Sequence, residues 1–218
     1  MTTPAQLERL QEHCQRLRLF KSRERLEALL QDATAKDATY GDFLEAVLSE
    51  EVSAQAEKNV TMRTHLARFP FVKPLEAFDW SYQPSLDKKQ LQSLATCRFI
   101  ESGENVIRLG PPGVGKTHLA VGLGVKAIQH GYRVLFTTAA AMLATLTTAL
   151  GENRLEEKLK LYTVPRLLVI DEIGYLPIDR QGANLFFPLI SRRYERGPVV
   201  LTSNQSCTNW GEVFGDRV

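Results

Sequence analysis

Gly110-Pro111-Pro112-Gly113-Val114-Gly115-Lys116-Thr117 decides how the rest of the chain is read. The run fits G-x-x-x-x-G-K-[ST], the spacing of a phosphate-binding loop. Each residue type answers a physical need. Glycines let successive backbone N–H groups turn toward one anion with no Cβ in the way. Lys116 is placed to reach the β- and γ-phosphates of a nucleotide, and the Thr117 hydroxyl to hold Mg²⁺. A helix opening at Lys116 aims its positive end at the same charge. Upstream, Val106-Ile107-Arg108-Leu109 reads as a short strand entering the loop; downstream, His118 to His130 reads as the helix leaving it.

Beyond that helix the pattern repeats. Arg133 to Thr137 reads as a strand, residues 139 to 162 as helix, and Arg166-Leu167-Leu168-Val169-Ile170 as a continuous apolar strand. Such a strand is expected where both faces of a parallel sheet are covered. Gly182 to Tyr194 reads as a helix that Pro188 kinks or breaks, and Val199 to Ser203 as a further strand. Strand–helix alternation with a phosphate loop after the first strand predicts an α/β fold: a P-loop three-layer α/β/α sandwich around a parallel sheet.

The second chemical feature is Asp171-Glu172, delivered by four apolar residues to the C-terminal end of a strand. In open α/β sheets that edge forms the ligand crevice. There Asp171 is suited to the hydration shell of Mg²⁺ and Glu172 to orienting or deprotonating an attacking water. Leu201-Thr202-Ser203-Asn204 supplies a polar residue at the end of the neighbouring strand. Asn204 either faces the γ-phosphate and lytic water or closes an Asx turn.

The remaining chain bounds the reading. With 218 residues, 44% of them hydrophobic and 24% charged, the composition is that of an ordinary soluble protein. No apolar run approaches the ~20 residues of a membrane helix, and the N-terminus lacks the basic head and apolar core of a signal peptide. Three widely spaced cysteines, Cys14, Cys97 and Cys207, argue against a disulfide framework or zinc site and for a reducing cytoplasm. A formal net charge of +2 does not itself call for nucleic acid.

Residues 4 to 31 read as helical, with Leu7, Leu10, Cys14 and Leu17 in one stripe. A polar turn follows over 32 to 39. Thr39 and Asp42 resemble a capping box, and Phe43, Leu44, Val47, Leu48 and Val52 are expected to be the buried face of the next helix. This helical module serves packing, self-association or partner contact. Lys58, Arg63, Arg68 and Lys73 occur with no acidic residue between them, which fits either a phosphate-contacting arm or a solvated helix face. Pro70 and Pro74 mark a boundary, giving residues 1–70 and 71–218 as expected domains. Phe78 and Trp80 are core candidates that would also suit the side of an adenine ring. Leu86 to Ile100 reads as one helix.

Taken together these residues resemble the AAA+ ATPases and, more narrowly, the IstB-type helper ATPases of bacterial insertion sequences, related to DnaC-type helicase loaders. The nucleotide motifs are general to AAA+ proteins. Asp171-Glu172-Ile173-Gly174-Tyr175-Leu176-Pro177 and Ser191-Arg192-Arg193-Tyr194 are the more specific part. The resemblance implies ATP and Mg²⁺ as cofactors, with Gly110 to Thr117 and His118 contacting nucleotide, Thr117 and Asp171 holding the metal, and Lys116, Glu172 and Asn204 (as sensor 1) serving hydrolysis. It also implies assembly of several copies on double-stranded DNA and recruitment or stimulation of a transposase at a target site; loading of a replicative helicase is the alternative. Three features depart from the family pattern. Arg108 stands where an apolar strand residue is expected, the Lys58–Lys73 segment is only mildly basic, and the family's Asp-Arg-Leu element is not met before Val218. The arginine finger is therefore expected beyond these residues and hydrolysis is expected to be slow. Arg192, Arg193 and Arg217 remain candidate contacts between subunits.

Overall fold

A change in hydrophobic period, from helical stripes to short apolar runs, divides the sequence. A computed structural model describes residues 3–81, 83–84, 86–175, 178–194 and 196–214, apart from the side chains of Cys207 and Glu212. The chain forms two units, Met1–Thr61 and Met62–Val218.

The first unit contains α1 (Pro4–Arg16), α2 (Phe20–Ala35) and most of α3 (Tyr40–Leu66). Pro4 opens α1 and the Thr3 hydroxyl accepts from the Gln6 N–H at 3.3 Å, an ordinary proline-assisted cap. The single helix expected over 4 to 31 is two helices, because Arg18 turns left-handed (φ 60°) between them. The α2 terminus has no side-chain cap of its own. Glu51 of α3 supplies one: its carboxylate accepts from the N–H groups of Lys21 (2.8 Å) and Ser22 (3.1 Å). A carboxylate at a helix start satisfies orphan donors and complements the dipole. At the start of α3 the Asp42 N–H donates to Thr39 Oγ1 (3.2 Å) and the Thr39 N–H returns to Asp42 Oδ2 (3.1 Å), the reciprocal cap the sequence predicts. The Thr39 hydroxyl and N–H hold the Asp42 carboxyl below its ordinary value.

The buried face of α3 differs from expectation. Val47 is buried, Phe43 is half-buried, and Leu44, Leu48 and Val52 are exposed. The core-facing row is set by Val47 and Glu51, four apart on the helix, because Glu51 must face the start of α2. That rotates the other apolar positions outward.

The second unit contains, in order, α4 (Lys88–Ala95), α5 (Arg98–Ser102), β1 (Val106–Leu109), α6 (Lys116–Gln129), β2 (Val134–Thr138), α7 (Ala139–Gly151), α8 (Leu155–Thr163), β3 (Leu167–Ile173), α9 (Arg180–Tyr194), β4 (Val199–Ser203) and α10 (Trp210–Val213). Among the described residues the four strands form one parallel sheet in the order β1-β4-β3-β2. The apolar run of β3 is central, and Leu167 to Ile170 are all fully buried. Leu168 and Ile170 join β4, α7, α8 and α9 in one core; Leu167 and Val169 point to the opposite face, where α6 packs on the sheet. Each such aliphatic side chain contributes roughly 1.5–3 kcal/mol on burial. A smaller core joins Leu75, Phe78 and Leu91 to Leu119 and Leu123 of α6.

Two further expected helices are each divided. Cys97 (φ 60°) separates α4 from α5, and Asn153 (φ 56°) lies between α7 and α8. Conversely, α9 runs through Pro188 to Tyr194 without ending. The register places Arg108 of β1 beside Thr202 of β4. Arg108 is half-buried, and its Nε and Nη2 have no hydrogen-bond partner among the described residues. Burial without a partner holds its guanidinium below the usual arginine value.

Candidate functional site

At the upper edge of the sheet, β1 ends and the chain turns through Gly110 to Gly115 into α6. Gly113 (φ 82°) and Gly115 (φ 84°) are left-handed, a conformation that side-chain-bearing residues rarely adopt. A Cβ at Gly115 would also stand 2.7 Å from Cε2 of Phe78. The loop thus needs glycine there for both its turn and its packing. Lys116 Nζ donates to the carbonyls of Gly110 and Pro111, both at 2.7 Å. It rests over the loop that its motif assigns to phosphate. Partial burial lowers the Lys116 pKa, and the charge of Asp171 opposes that shift. His118, the third residue of the helix, places Nε2 3.3 Å from the Pro74 carbonyl oxygen, with the rings of Phe71 and Phe78 edge-on to it. Phe78 is buried in the small core, and Trp80 packs on it at 5.3 Å.

Across the crevice, β3 brings Asp171 to the same edge. Its two carboxylate oxygens are held by different elements. Thr117 Oγ1 of α6 donates to Oδ2 at 2.9 Å, and Thr202 Oγ1 of β4 donates to Oδ1. The parallel ladder bulges between Ile170 and Ile173, and Glu172 is left-handed there (φ 63°). The Glu172 N–H donates to the same Thr202 hydroxyl at 3.0 Å. Its carboxylate is exposed and lines a cleft of about 280 Å³ with Ala139, Leu143, Thr147, Tyr175 and Asp179. The structure therefore brings Lys116, Thr117 and Asp171 together by side chain and ties in Glu172 by its backbone. Asn204 follows β4; its Oδ1 is buried and unpaired among the described residues, so no Asx turn consumes it.

Thr202 was not singled out by sequence. A threonine inside an apolar strand, two residues before the polar strand end, is the available signal; only the register of β3 and β4 shows what it faces.

The other candidates are dispersed. Lys58 lies over the Phe20 ring at 5.8 Å and Lys73 over the Phe71 ring at 5.7 Å. Arg63 donates to the Gly131 carbonyl. Arg68 is exposed, its guanidinium unpartnered among the described residues. Lys158 is 3.9 Å from Glu157, and Lys160 is exposed. Arg192 is paired in fork geometry with Glu156, both bonds 2.7 Å. Arg193 is 1% exposed, which removes it as a contact between subunits. Its Nη1 and Nη2 donate to the carbonyls of Tyr162, Thr163, Pro165, Arg166 and Pro198, while its Nε is buried without a partner among the described residues. Arg217, Leu176 and Pro177 lie outside the described residues.

A glycine loop opening a helix after the first strand of a parallel sheet, with an acidic pair on the next strand but one, defines the P-loop class of α/β folds. The fold matches AMPPCP-bound DnaA from Aquifex aeolicus (TM-score 0.54, 22% identity, 61% of this chain and 42% of that one). It likewise matches a DnaC helicase loader (TM-score 0.51, 23% identity, 71% of this chain and 90% of that one). Within that class, residues 10–218 match the family model described as IstB-like ATP binding protein. The chain belongs to this family. It is 47% identical, over 203 residues, to a protein of insertion sequence IS21 from Pseudomonas aeruginosa, provisionally named an ATP-binding protein; the match covers 93% of this chain and 77% of the relative. A counterpart from insertion sequence IS5376 of Geobacillus stearothermophilus is 40% identical over 211 residues, covering 97% of this chain and 84% of the relative.

Proposed function

We propose that this protein binds ATP with Mg²⁺, hydrolyses it, and uses the cycle to assemble on duplex DNA and recruit or stimulate a transposase. The observation that carries the chemistry is the Thr117–Asp171 hydrogen bond beside Lys116, a hydroxyl and a carboxylate meeting at the mouth of a glycine loop. The residues fit the cofactor. Left-handed glycines leave backbone N–H groups clear for phosphate, and Lys116 occupies loop carbonyls with a charge suited to the β- and γ-phosphates. Hydroxyl and carboxylate oxygens are the hard donors magnesium prefers. Among the described residues no three His, Cys, Asp or Glu side chains gather to hold a metal. Thr117 and Asp171 would thus hold Mg²⁺ together with nucleotide and water oxygens. When bound, Mg²⁺ supplies charge neutralisation of the triphosphate.

The protein's own groups do the rest. Lys116 and the loop N–H groups bind and orient the phosphates. Glu172 draws a proton from the attacking water onto its carboxylate, and Asn204 orients that water or the γ-phosphate. His118, in the first turn of α6, would contact the nucleotide from there. The DNA and transposase parts of the proposal rest on family membership: the named relatives are insertion-sequence proteins. The N-terminal helices are assigned to self-association or partner contact. Arg68 and Lys160, both exposed, are assigned to phosphate contact, whereas Arg63 is engaged with Gly131. Among the described residues no helix is long and apolar enough to cross a membrane; a cytoplasmic location is part of the proposal.

The test compares Lys116→Ala and Glu172→Gln. The first is expected to lose binding of a fluorescent ATP analogue; the second is expected to bind it and fail to hydrolyse ATP. Unchanged turnover in Glu172→Gln would remove the hydrolytic assignment. Duplex affinity in the presence of ATP is expected to fall steeply with salt and to drop in Arg68→Glu; capture of a helicase rather than a transposase in a pull-down would favour the loader alternative.

A further inference from the structure

We propose that Thr202 is a positioning residue of the hydrolytic site, the single hydroxyl that sets both members of the Asp171-Glu172 pair. The proposal rests on the ATPase reading above and deepens it. Thr202 lies on β4, 1% exposed, and its Oγ1 has two neighbours of opposite demand. The Glu172 N–H can only donate, and does so at 3.0 Å. A threonine hydroxyl has one proton to give, and that proton goes to Asp171 Oδ1. The direction of both bonds is therefore fixed.

Each bond has its own consequence. Asp171 is clamped by one hydroxyl on each oxygen, Thr117 on Oδ2 and Thr202 on Oδ1. If Thr117 is claimed by the magnesium it is assigned to hold, Thr202 remains to fix the carboxylate plane. At Glu172 the backbone is left-handed inside a ladder bulge, a conformation that persists only where neighbours over-determine it. The bond from its N–H to Thr202 is the side-chain contact that pins this peptide, and so the angle at which the Glu172 carboxylate leaves the strand. Valine at position 202 has nearly the same shape. It would abolish both bonds and leave an N–H and a carboxylate oxygen without a partner.

Thr202→Val and Thr202→Ser separate the hydroxyl from the packing. Far-UV circular dichroism and melting check the fold, and Thr202→Ala carries the same expectation should the valine variant not fold. In Thr202→Val, turnover of ATP is expected to fall about 10–100-fold, the range for groups that orient metal-site ligands. The Mg²⁺ concentration that half-saturates binding of a fluorescent ATP analogue is expected to rise about tenfold. Thr202→Ser is expected to restore both. On a Glu172→Gln background, where no turnover is expected, Thr202→Val is still expected to raise the Mg²⁺ requirement for analogue binding. Turnover and Mg²⁺ half-saturation both within about twofold of the parent in a folded Thr202→Val would overturn the proposal, as would a serine variant as defective as valine. Glu172→Gln alone keeps the two levels apart: if it leaves turnover intact the hydrolytic reading fails, and if it stops turnover while Thr202→Val does not slow it, only the role of Thr202 fails.

Discussion

Replacing Arg193 with lysine keeps the charge and removes the fork, so it measures what the fork does. The Arg193 side chain ends beneath the sheet, where Nη2 donates to Arg166 O (3.0 Å) and Pro198 O (2.8 Å) and Nη1 donates to Pro165 O, with Tyr162 O and Thr163 O farther off at 3.4 and 3.3 Å. The acceptors flank the two nitrogens, and a single lysine Nζ can occupy the place of one nitrogen. At least two of the five acceptors then lose their donor: Arg166 O and Pro198 O if Nζ takes the place of Nη1, the other three if it takes that of Nη2. A buried acceptor without a partner costs about 1–3 kcal/mol, so Arg193→Lys is expected to lose about 2–6 kcal/mol. For a unit of this size that lowers the melting temperature by at least about 4 °C. Burial lowers the Arg193 pKa to about 10. A base depressed on folding binds fewer protons folded than unfolded only between its two pKa values, so this group raises stability with pH only above about 10. The parent's stability should accordingly not change through this group between pH 6 and pH 8. Urea unfolding of parent and variant, followed by circular dichroism, reads the difference. A change below about 0.5 kcal/mol, the size of an ordinary surface substitution, would refute the account of Arg193 as a buried fastener.

Gly115→Ala is expected to destabilise the chain by about 2–5 kcal/mol, adding the left-handed penalty to overpacking against Phe78; it should also weaken binding of the ATP analogue, and melting with a binding titration reads both. An alanine variant that melts with the parent would contradict the 2.7 Å approach of that Cβ to the Phe78 ring. Burial raises the Cys97 thiol to about 11, which leaves roughly one thiolate in a thousand at pH 8. Peptide mapping after iodoacetamide is expected to find Cys97 unmodified in the folded protein and modified in urea; equal labelling in both would count against its burial.

The sheet was legible because its signals are local. Val106–Leu109 and Val199–Ser203 are strands over the residues their apolar runs predict, and the glycine loop fixes where α6 begins. Helix ends were harder for one physical reason. The unforeseen breaks fall at Arg18, Cys97 and Asn153, residues that turn left-handed without a glycine or proline to announce it. A pattern of apolar spacings passes through such points uninterrupted. The face of α3 was misread because Glu51, a charged residue, holds a core-facing position by capping another helix, so apolar spacing alone turned the helix the wrong way. At the site, the loop and the acidic pair were legible from type and order. Thr202 and Arg193 were not, since each acts across strands or loops far apart in sequence and the register that joins them is not written in any one segment.

The two edges of the sheet carry different obligations, and that separation makes the site possible. At the upper edge the backbone is strained: Glu172 is left-handed in a bulge, which for a side-chain-bearing residue costs roughly 1–2 kcal/mol. At the lower edge, side chains fasten the starts of the strands. Asn105 accepts from the Val199 N–H at 2.8 Å beside β1, Arg166 reaches Arg196 O and Ile100 O, and Arg193 joins the segments that lead into β3 and β4. A strained upper edge holds its geometry only if the strands beneath it cannot slide to relieve it. Fastening and strain are then two halves of one arrangement, yet they answer to different measurements. Loss of the fastener should appear in melting while the Mg²⁺ requirement of the surviving folded protein stays near the parent's. Loss of the Thr202 hydroxyl should raise the Mg²⁺ requirement of the folded protein, whatever it also costs in melting. If Arg193→Lys instead raised the Mg²⁺ requirement at temperatures where it is fully folded, the lower edge would be setting the geometry of Asp171 directly, and the division of labour between the edges would not hold.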